Sequence, residues 1–156
     1  MPVLDKPWEM SMIREYEERD LEALLSVWMA ASEVAHPFLS REFLAQEKEN
    51  IPKLYLPNTQ TWVAEEDGRV VGFISLMGNE VGALFVYPNQ HRKGIGGRLM
   101  DKARTVRDEL YVEVFAANPI GRGFYAKYGF EPIEEKVHEQ TGFDLVRLRL
   151  PVNVMH

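Results

Sequence analysis

The chain predicts an α+β fold: a mixed, mostly antiparallel sheet of about seven strands flanked by about four helices. Three observations carry this. Asp67-Gly68 and Gly78-Asn79 are turn signals set between apolar runs, so Thr61–Ala64, Arg69–Leu76 and Glu80–Tyr87 read as antiparallel hairpins in series. A glycine-rich stretch, Gln90 to Arg98, then joins the last of these strands to a helix-like segment, Leu99 to Val106. Beyond it, strand signals at Leu110–Val114, Phe130–Glu135 and Phe143–Leu150 surround one further helix.

Each element has its own signal. Met1 to Ser11 shows no periodicity and contains two prolines, so it reads as a loose leader before a single domain over 12–151, with 152–156 as a tail. Ile13–Tyr16 is a short first strand. Asp20 is placed to cap a helix in which Leu21, Leu24, Leu25, Val27 and Trp28 recur at helical spacing. Pro37 ends it, because the residue before a proline resists the α conformation. Ser40 caps a second helix beginning at Glu42 and Phe43, and Ile51-Pro52 and Leu56-Pro57 mark its irregular end. Asn118-Pro119 opens the last helix with a capping side chain and a proline at the first helical position. Leu145, Leu148 and Leu150 do not all share one face, so the final strand rests on its length and flanks.

Composition excludes several function classes. The chain has 156 residues and no cysteine, so disulfides, thiolate metal sites and a cysteine nucleophile are ruled out. His, Asp and Glu show no metal-ligand spacing, and no metal is expected. No apolar run approaches the roughly 20 residues that span a bilayer, and a cytoplasmic location is the default. A net charge of −6 argues against a general nucleic-acid binder. The charge is uneven: Pro88 to Arg107 holds Arg92, Lys93, Arg98, Lys102, Arg104 and Arg107 against Asp101 alone, leaving an acidic remainder. A basic spot on an acidic body suits an anionic cofactor and a cationic substrate, although Lys102, Arg104 and Arg107 equally suit a solvated helix face.

The glycine-rich junction explains the basic spot. Glycines let bare backbone N–H groups converge at a helix N-terminus, where the helix dipole adds positive charge, and this suits a phosphate. A dinucleotide fold is disfavoured because the third glycine of Gly-x-Gly-x-x-Gly is missing, and a phosphate loop of the Walker type because no Gly-Lys-Ser/Thr is present.

Two spaced motifs resemble a known family. His91-Arg92-Lys93-Gly94-Ile95-Gly96 is similar to the pattern Gln/Arg-x-x-Gly-x-Gly/Ala. Asn118 to Phe130 is similar to Asn-x-x-Ala-x-x-Phe-Tyr-x-x-x-Gly-Phe, with Gly121 where alanine is usual. Both are patterns of the GNAT superfamily of acyl-CoA-dependent N-acetyltransferases, and the order of elements agrees over nearly all of 12–150. Ala35-His36-Pro37-Phe38 and Trp62 to Gly68 further resemble small single-domain bacterial members, some of which acetylate protein lysines.

The resemblance implies acetyl-CoA as cosubstrate, its pyrophosphate on the N–H groups of Arg92, Lys93, Gly94, Ile95, Gly96 and Gly97, with Arg98 opening the helix. It implies that the pantetheine arm pairs with the strand edge at Leu84, Phe85 and Val86, splayed from Tyr111–Phe115. His91 stands where glutamine or arginine is usual, so its charge depends on pH. The resemblance also implies that Asn118 contacts the cofactor as well as capping its helix, and capping alone is the alternative. Tyr125 occupies the general-acid position, and packing of the helix against the sheet is its alternative role. His36 and Phe38 lie on the loop that borders the acceptor cleft, where His36 orients an amine or is simply a loop residue.

Chemistry sets the remaining demands. Deprotonating a lysine-like amine at neutral pH costs about 4.6 kcal/mol, so a proton acceptor is needed. Glu80 matches the position of a catalytic glutamate in histone-type members; a water chain and Glu113 are the alternatives. The departing thiolate needs a proton, and a phenol has a comparable pKa.

Direct amine attack in a ternary complex is the expected reaction, on a protein lysine, a protein N-terminus or a cationic small molecule, by a monomer or homodimer. An acyl-CoA-sensing module without turnover is the non-enzyme alternative, motivated by His91 and Gly121; a nucleotide-binding regulatory domain is a third.

Overall fold

The structure, a computed structural model, describes residues 11–91 and 93–152. The expectations for Arg92, for Met1 to Met10 and for 153–156 lie outside the described residues. The elements run β1 (Ser11–Glu15), α1 (Leu21–Ala35), α2 (Arg41–Asn50), β2 (Gln60–Glu66), β3 (Arg69–Met77), β4 (Glu80–Val86), α3 (Ile95–Val106), β5 (Leu110–Phe115), α4 (Pro119–Tyr128), β6 (Glu131–Val137) and β7 (Asp144–Leu150). Among the described residues seven strands form one sheet in the order β1-β2-β3-β4-β5-β7-β6, all pairs antiparallel except the parallel β4 and β5.

Both turn signals act as read. Asp67 (φ 54°) and Gly68 (φ 79°) take the left-handed conformations that a two-residue hairpin between β2 and β3 requires. Gly78 (φ 58°) turns β3 into β4. Ser40 Oγ accepts from Phe43 N at 3.0 Å and Asn118 Oδ1 from Gly121 N at 2.9 Å, so two of the three expected caps form. Asp20 does not cap: its carboxylate is taken by the Arg14 guanidinium, two bonds of 2.9 Å, and by Glu17 N at 2.8 Å. A cation from the neighbouring strand outbids the helix N–H groups for a carboxylate that is 4 % exposed. The third helix begins at Ile95, not Leu99, because Gly96 and Gly97 form its first turn rather than a loop.

The sheet is covered on both faces. Leu24, Val27 and Trp28 of α1 pack with Ile51 on Val63, Val70 and Phe73. On the opposite face Leu99, Met100 and Ala103 of α3 lie against Trp62, Ile74 and Leu76, continuing to Tyr125 and Phe130. β3 is therefore buried from Val70 to Leu76, which is why its sequence is a nearly unbroken apolar run. A Cβ on Gly72 would stand 3.0 Å from the Phe85 carbonyl oxygen and 3.4 Å from Leu99 Cδ1, so glycine lets α3 approach the sheet. β7 is inserted between β5 and β6, and Val146, Leu148 and Leu150 share the α3 side while Leu145 faces the cleft described next.

Candidate active site

β4 and β5 pair only at Glu80 with Tyr111 and Val81 with Val112. Beyond that point they part. Between Ser75–Ala83 and Leu76–Val81 the register of β3 on β4 slips by one residue, leaving Gly82 as a bulge on β4 at the point of divergence. Leu84, Phe85 and Val86 thus present backbone toward the gap, and β5 continues against β7 alone. The gap opens into a cleft of about 460 Å³ lined from both sides of the sheet, by Trp28, Ser32 and His36 of the α1 side and by Asn118, Gly121 and Tyr125 of α4.

The cradle lies where β4 leads into α3. Gly94 (φ 79°) is the residue before the helix and, as a glycine, offers no side chain to cap the first-turn N–H groups of α3. A Cβ at Gly94 or Gly97 would meet nothing within 4 Å, so this side of the helix start is open. Such an end is suited to a pyrophosphate, which lacks only positive charge to balance it. Lys93 stands beside it, half-exposed, with Glu66 Oε1 at 3.9 Å. Arg98 lies in the first turn. The His91 Nε2–H donates to the Val86 carbonyl at 3.2 Å and ties the loop to the end of β4. Of the bases further on, Arg107 donates to the Gly78 carbonyl and to Gln60, both at 2.8 Å, and Arg104 stacks on Tyr128 at 5.8 Å. Those two serve the local structure.

Tyr125 is buried against Phe124 and Phe130 and lines the cleft. Burial pushes its hydroxyl above the usual tyrosine range, so it holds its proton at neutral pH. It packs α4 through Phe124 and Phe130 and is at the same time a cleft-lining residue.

Glu80 and Glu113 both line the cleft and share one cation. Arg147 Nη1 donates to Glu80 Oε1 at 3.1 Å and to Glu113 Oε2 at 3.2 Å, and its Nη2 donates to Glu80 Oε2. Lys136 Nζ adds a bond of 2.9 Å to Glu113.

His36 sits among Phe38, Phe85 and Phe115, all at edge-on ring contacts, and its burial lowers its pKa to about 4. It is neutral at pH 7. Phe38 also meets Phe115 and Phe143, making a half-exposed aromatic rim. Three further functional positions were not expected from the sequence. Gly82 carried a signal, a glycine inside a strand pattern. Ser32, 1 % exposed with an unpartnered hydroxyl, also did: a polar residue one turn from Trp28 on the apolar stripe of α1. Arg147 carried none, since β7 pairs with β5 across the sequence.

The acetyltransferase (GNAT) domain model matches residues 57–132, which span the hairpins, the cradle and α4. The chain is 34 % identical to the peptidyl-lysine N-acetyltransferase YiaC of Escherichia coli strain K12 over 83 % of its length and 90 % of the relative. The chain belongs to the GNAT family. It is an acetyl-CoA-dependent N-acetyltransferase. The apo-form solution structure of YjaB from Escherichia coli superposes with a TM-score of 0.81 at 29 % identity, covering 92 % of this chain and 99 % of that one. The PaiA N-acetyltransferase of Thermoplasma acidophilum, in complex with coenzyme A, has the same GNAT fold at a TM-score of 0.69 and 22 % identity, over 88 % and 97 % of the two chains. Among the described residues no helix is long and apolar enough to cross a membrane, and no three His, Asp or Glu side chains converge as a metal site.

Proposed function

We propose that this GNAT enzyme acetylates lysine side chains of proteins by direct attack of the neutral amine. The observation that carries the reading is the parting of β4 and β5 beside an uncapped helix start, with Tyr125 and Glu80 lining one cleft. Acetyl-CoA supplies an acetyl thioester and a thiolate leaving group. The open first turn of α3, with Lys93 and Arg98, binds its pyrophosphate, and the free edge of Leu84, Phe85 and Val86 aligns its pantetheine arm. Tyr125 Oη is the proton donor to the leaving group. Its raised pKa does not disqualify it, because burial raises the pKa of a thiol in the same direction. Glu80 takes the amine proton, directly or through water, with Arg147 left on Glu113.

The acceptor assignment has two supports. YiaC and YjaB are peptidyl-lysine N-acetyltransferases. The aromatic rim of Phe38, Phe115 and Phe143 suits the apolar stem of a lysine, and the Glu47 carboxylate in the cleft lining, held by neutral donors, attracts its charged end. Mass spectrometry after incubation with acetyl-CoA and a panel of lysine peptides, N-terminal amines and polyamines tests this. Acetyl groups on peptide lysine ε-nitrogens are expected. Turnover of polyamines with no peptide modified would overturn the lysine assignment, and no amine-dependent thiol release at all would overturn the mechanism.

A further inference from the structure

Gly121 stands where the family pattern has alanine, and its surroundings give the reason. A Cβ built on it would lie 2.6 Å from Asn118 Nδ2, 3.2 Å from Asn118 Cγ and 3.1 Å from Val114 Cγ2. Only a residue without a side chain leaves the Asn118 amide where it is. That amide is bonded at both ends. Oδ1 accepts from Gly121 N at 2.9 Å, so the group at the other end is the NH₂, a donor only. Its neighbour at 3.3 Å is His36 Nε2. The imidazole nitrogen must therefore be the acceptor, with the ring proton on Nδ1.

This bond joins the residue that ends α1 to the residue that caps α4, and both line the cleft where β4 and β5 diverge. Asn118 is 6 % exposed, and after these two bonds it retains one N–H and one oxygen lone pair. A pantetheine arm offers the matching carbonyl and N–H of its secondary amides. We infer that His36 is a positioning residue for the cofactor side of the site: its bare Nε2 holds the Asn118 amide in the orientation that meets the pantetheine of acetyl-CoA, and Gly121 leaves the space for it. The inference rests on the acetyl-CoA placement proposed above.

Two measurements on the full chain test it. Nitrogen-15 NMR of the ligand-free protein at neutral pH should show His36 with Nε2 unprotonated and Nδ1 protonated. Calorimetric titration with acetyl-CoA, without acceptor, should show Gly121→Ala and His36→Phe each weakening binding about tenfold, the loss of roughly one hydrogen bond. The double variant should be no weaker than either single one, because both break the same link. His36→Gln, whose Oε1 can accept the same hydrogen bond, should keep the wild-type affinity. Alanine is a better helix former than glycine, so a Gly121→Ala protein that melts no lower than wild type yet binds less tightly reports the clash and not unfolding. Multiplying losses in the double variant, wild-type affinity in Gly121→Ala, or a protonated Nε2 would overturn the inference. A wild type that binds no acetyl-CoA would overturn the functional reading with it, whereas a binding wild type with independent losses overturns this link alone.

Discussion

Tyr125 joins a demand of packing to a demand of chemistry. Its ring packs against Phe124 and Phe130, and the same residue lines the cleft. Tyr125→Phe keeps the ring and removes only the oxygen, so the fold and the acetyl-CoA affinity should persist while kcat falls about 10²- to 10⁴-fold, the usual worth of a general acid. Steady-state kinetics beside calorimetry checks this. His36 gives a prediction in stability. Its folded pKa of about 4 lies below the ordinary 6.5, so as pH falls the unfolded chain takes up the proton first. The stability that depends on a neutral His36 is complete above about 6.5 and is lost progressively toward about 4. Thermal melts across this window should show the wild type losing more than His36→Gln. At this scale, local motif signals are legible: Asn118 caps α4 and Gly94 precedes α3, as their spacing predicts. The partner of Glu80 was not, because Arg147 stands 67 residues away and nothing local announces it.

β4 is the element on which the site is built. Its start pairs with β5, its bulge at Gly82 ends that pairing, and its free edge leads into the open turn of α3. Gly72 on β3 sets how closely this assembly packs. Gly72→Ala would press a methyl group on the Phe85 carbonyl at 3.0 Å and on Val86 Cγ2 at 3.1 Å. Overpacking of this kind costs typically about 1–3 kcal/mol, and here it should also displace the β4 edge. A lower denaturation midpoint together with weaker acetyl-CoA binding is expected; a loss of stability with unchanged affinity would uncouple the edge from the cofactor. The hairpins and two of the helix caps were readable because each is decided within a few residues. Asp20 was misread as a cap because Arg14, on β1, competes for its carboxylate from outside the helix. Glycine lowers helix propensity, so local signals start the third helix at Leu99, a penalty that tertiary packing of Ile95 and Leu99 overrides.

The whole molecule divides its work between the two faces of one sheet. Helices α3 and α4 carry the uncapped turn, Asn118 and Tyr125, while α1 carries Trp28, Ser32 and His36, and the gap between β4 and β5 connects the two sides. The order β5-β7-β6 makes this arrangement possible by closing the sheet with a strand from the far end of the chain, which also delivers Arg147 to Glu80 and Glu113. The class of fold and its element order were readable from turns, periodicity and motif order. Strand order beyond the hairpins was not, since pairing between distant segments leaves no local pattern. The central claim is that bare main-chain amides at the start of α3 and along the free edge of β4 hold acetyl-CoA. Backbone amide NMR during titration with acetyl-CoA tests it most directly: the claim predicts the largest shifts at Gly94, Gly96, Gly97 and Leu84–Val86, and shifts confined to β6 or α2, or none on saturation, would contradict it.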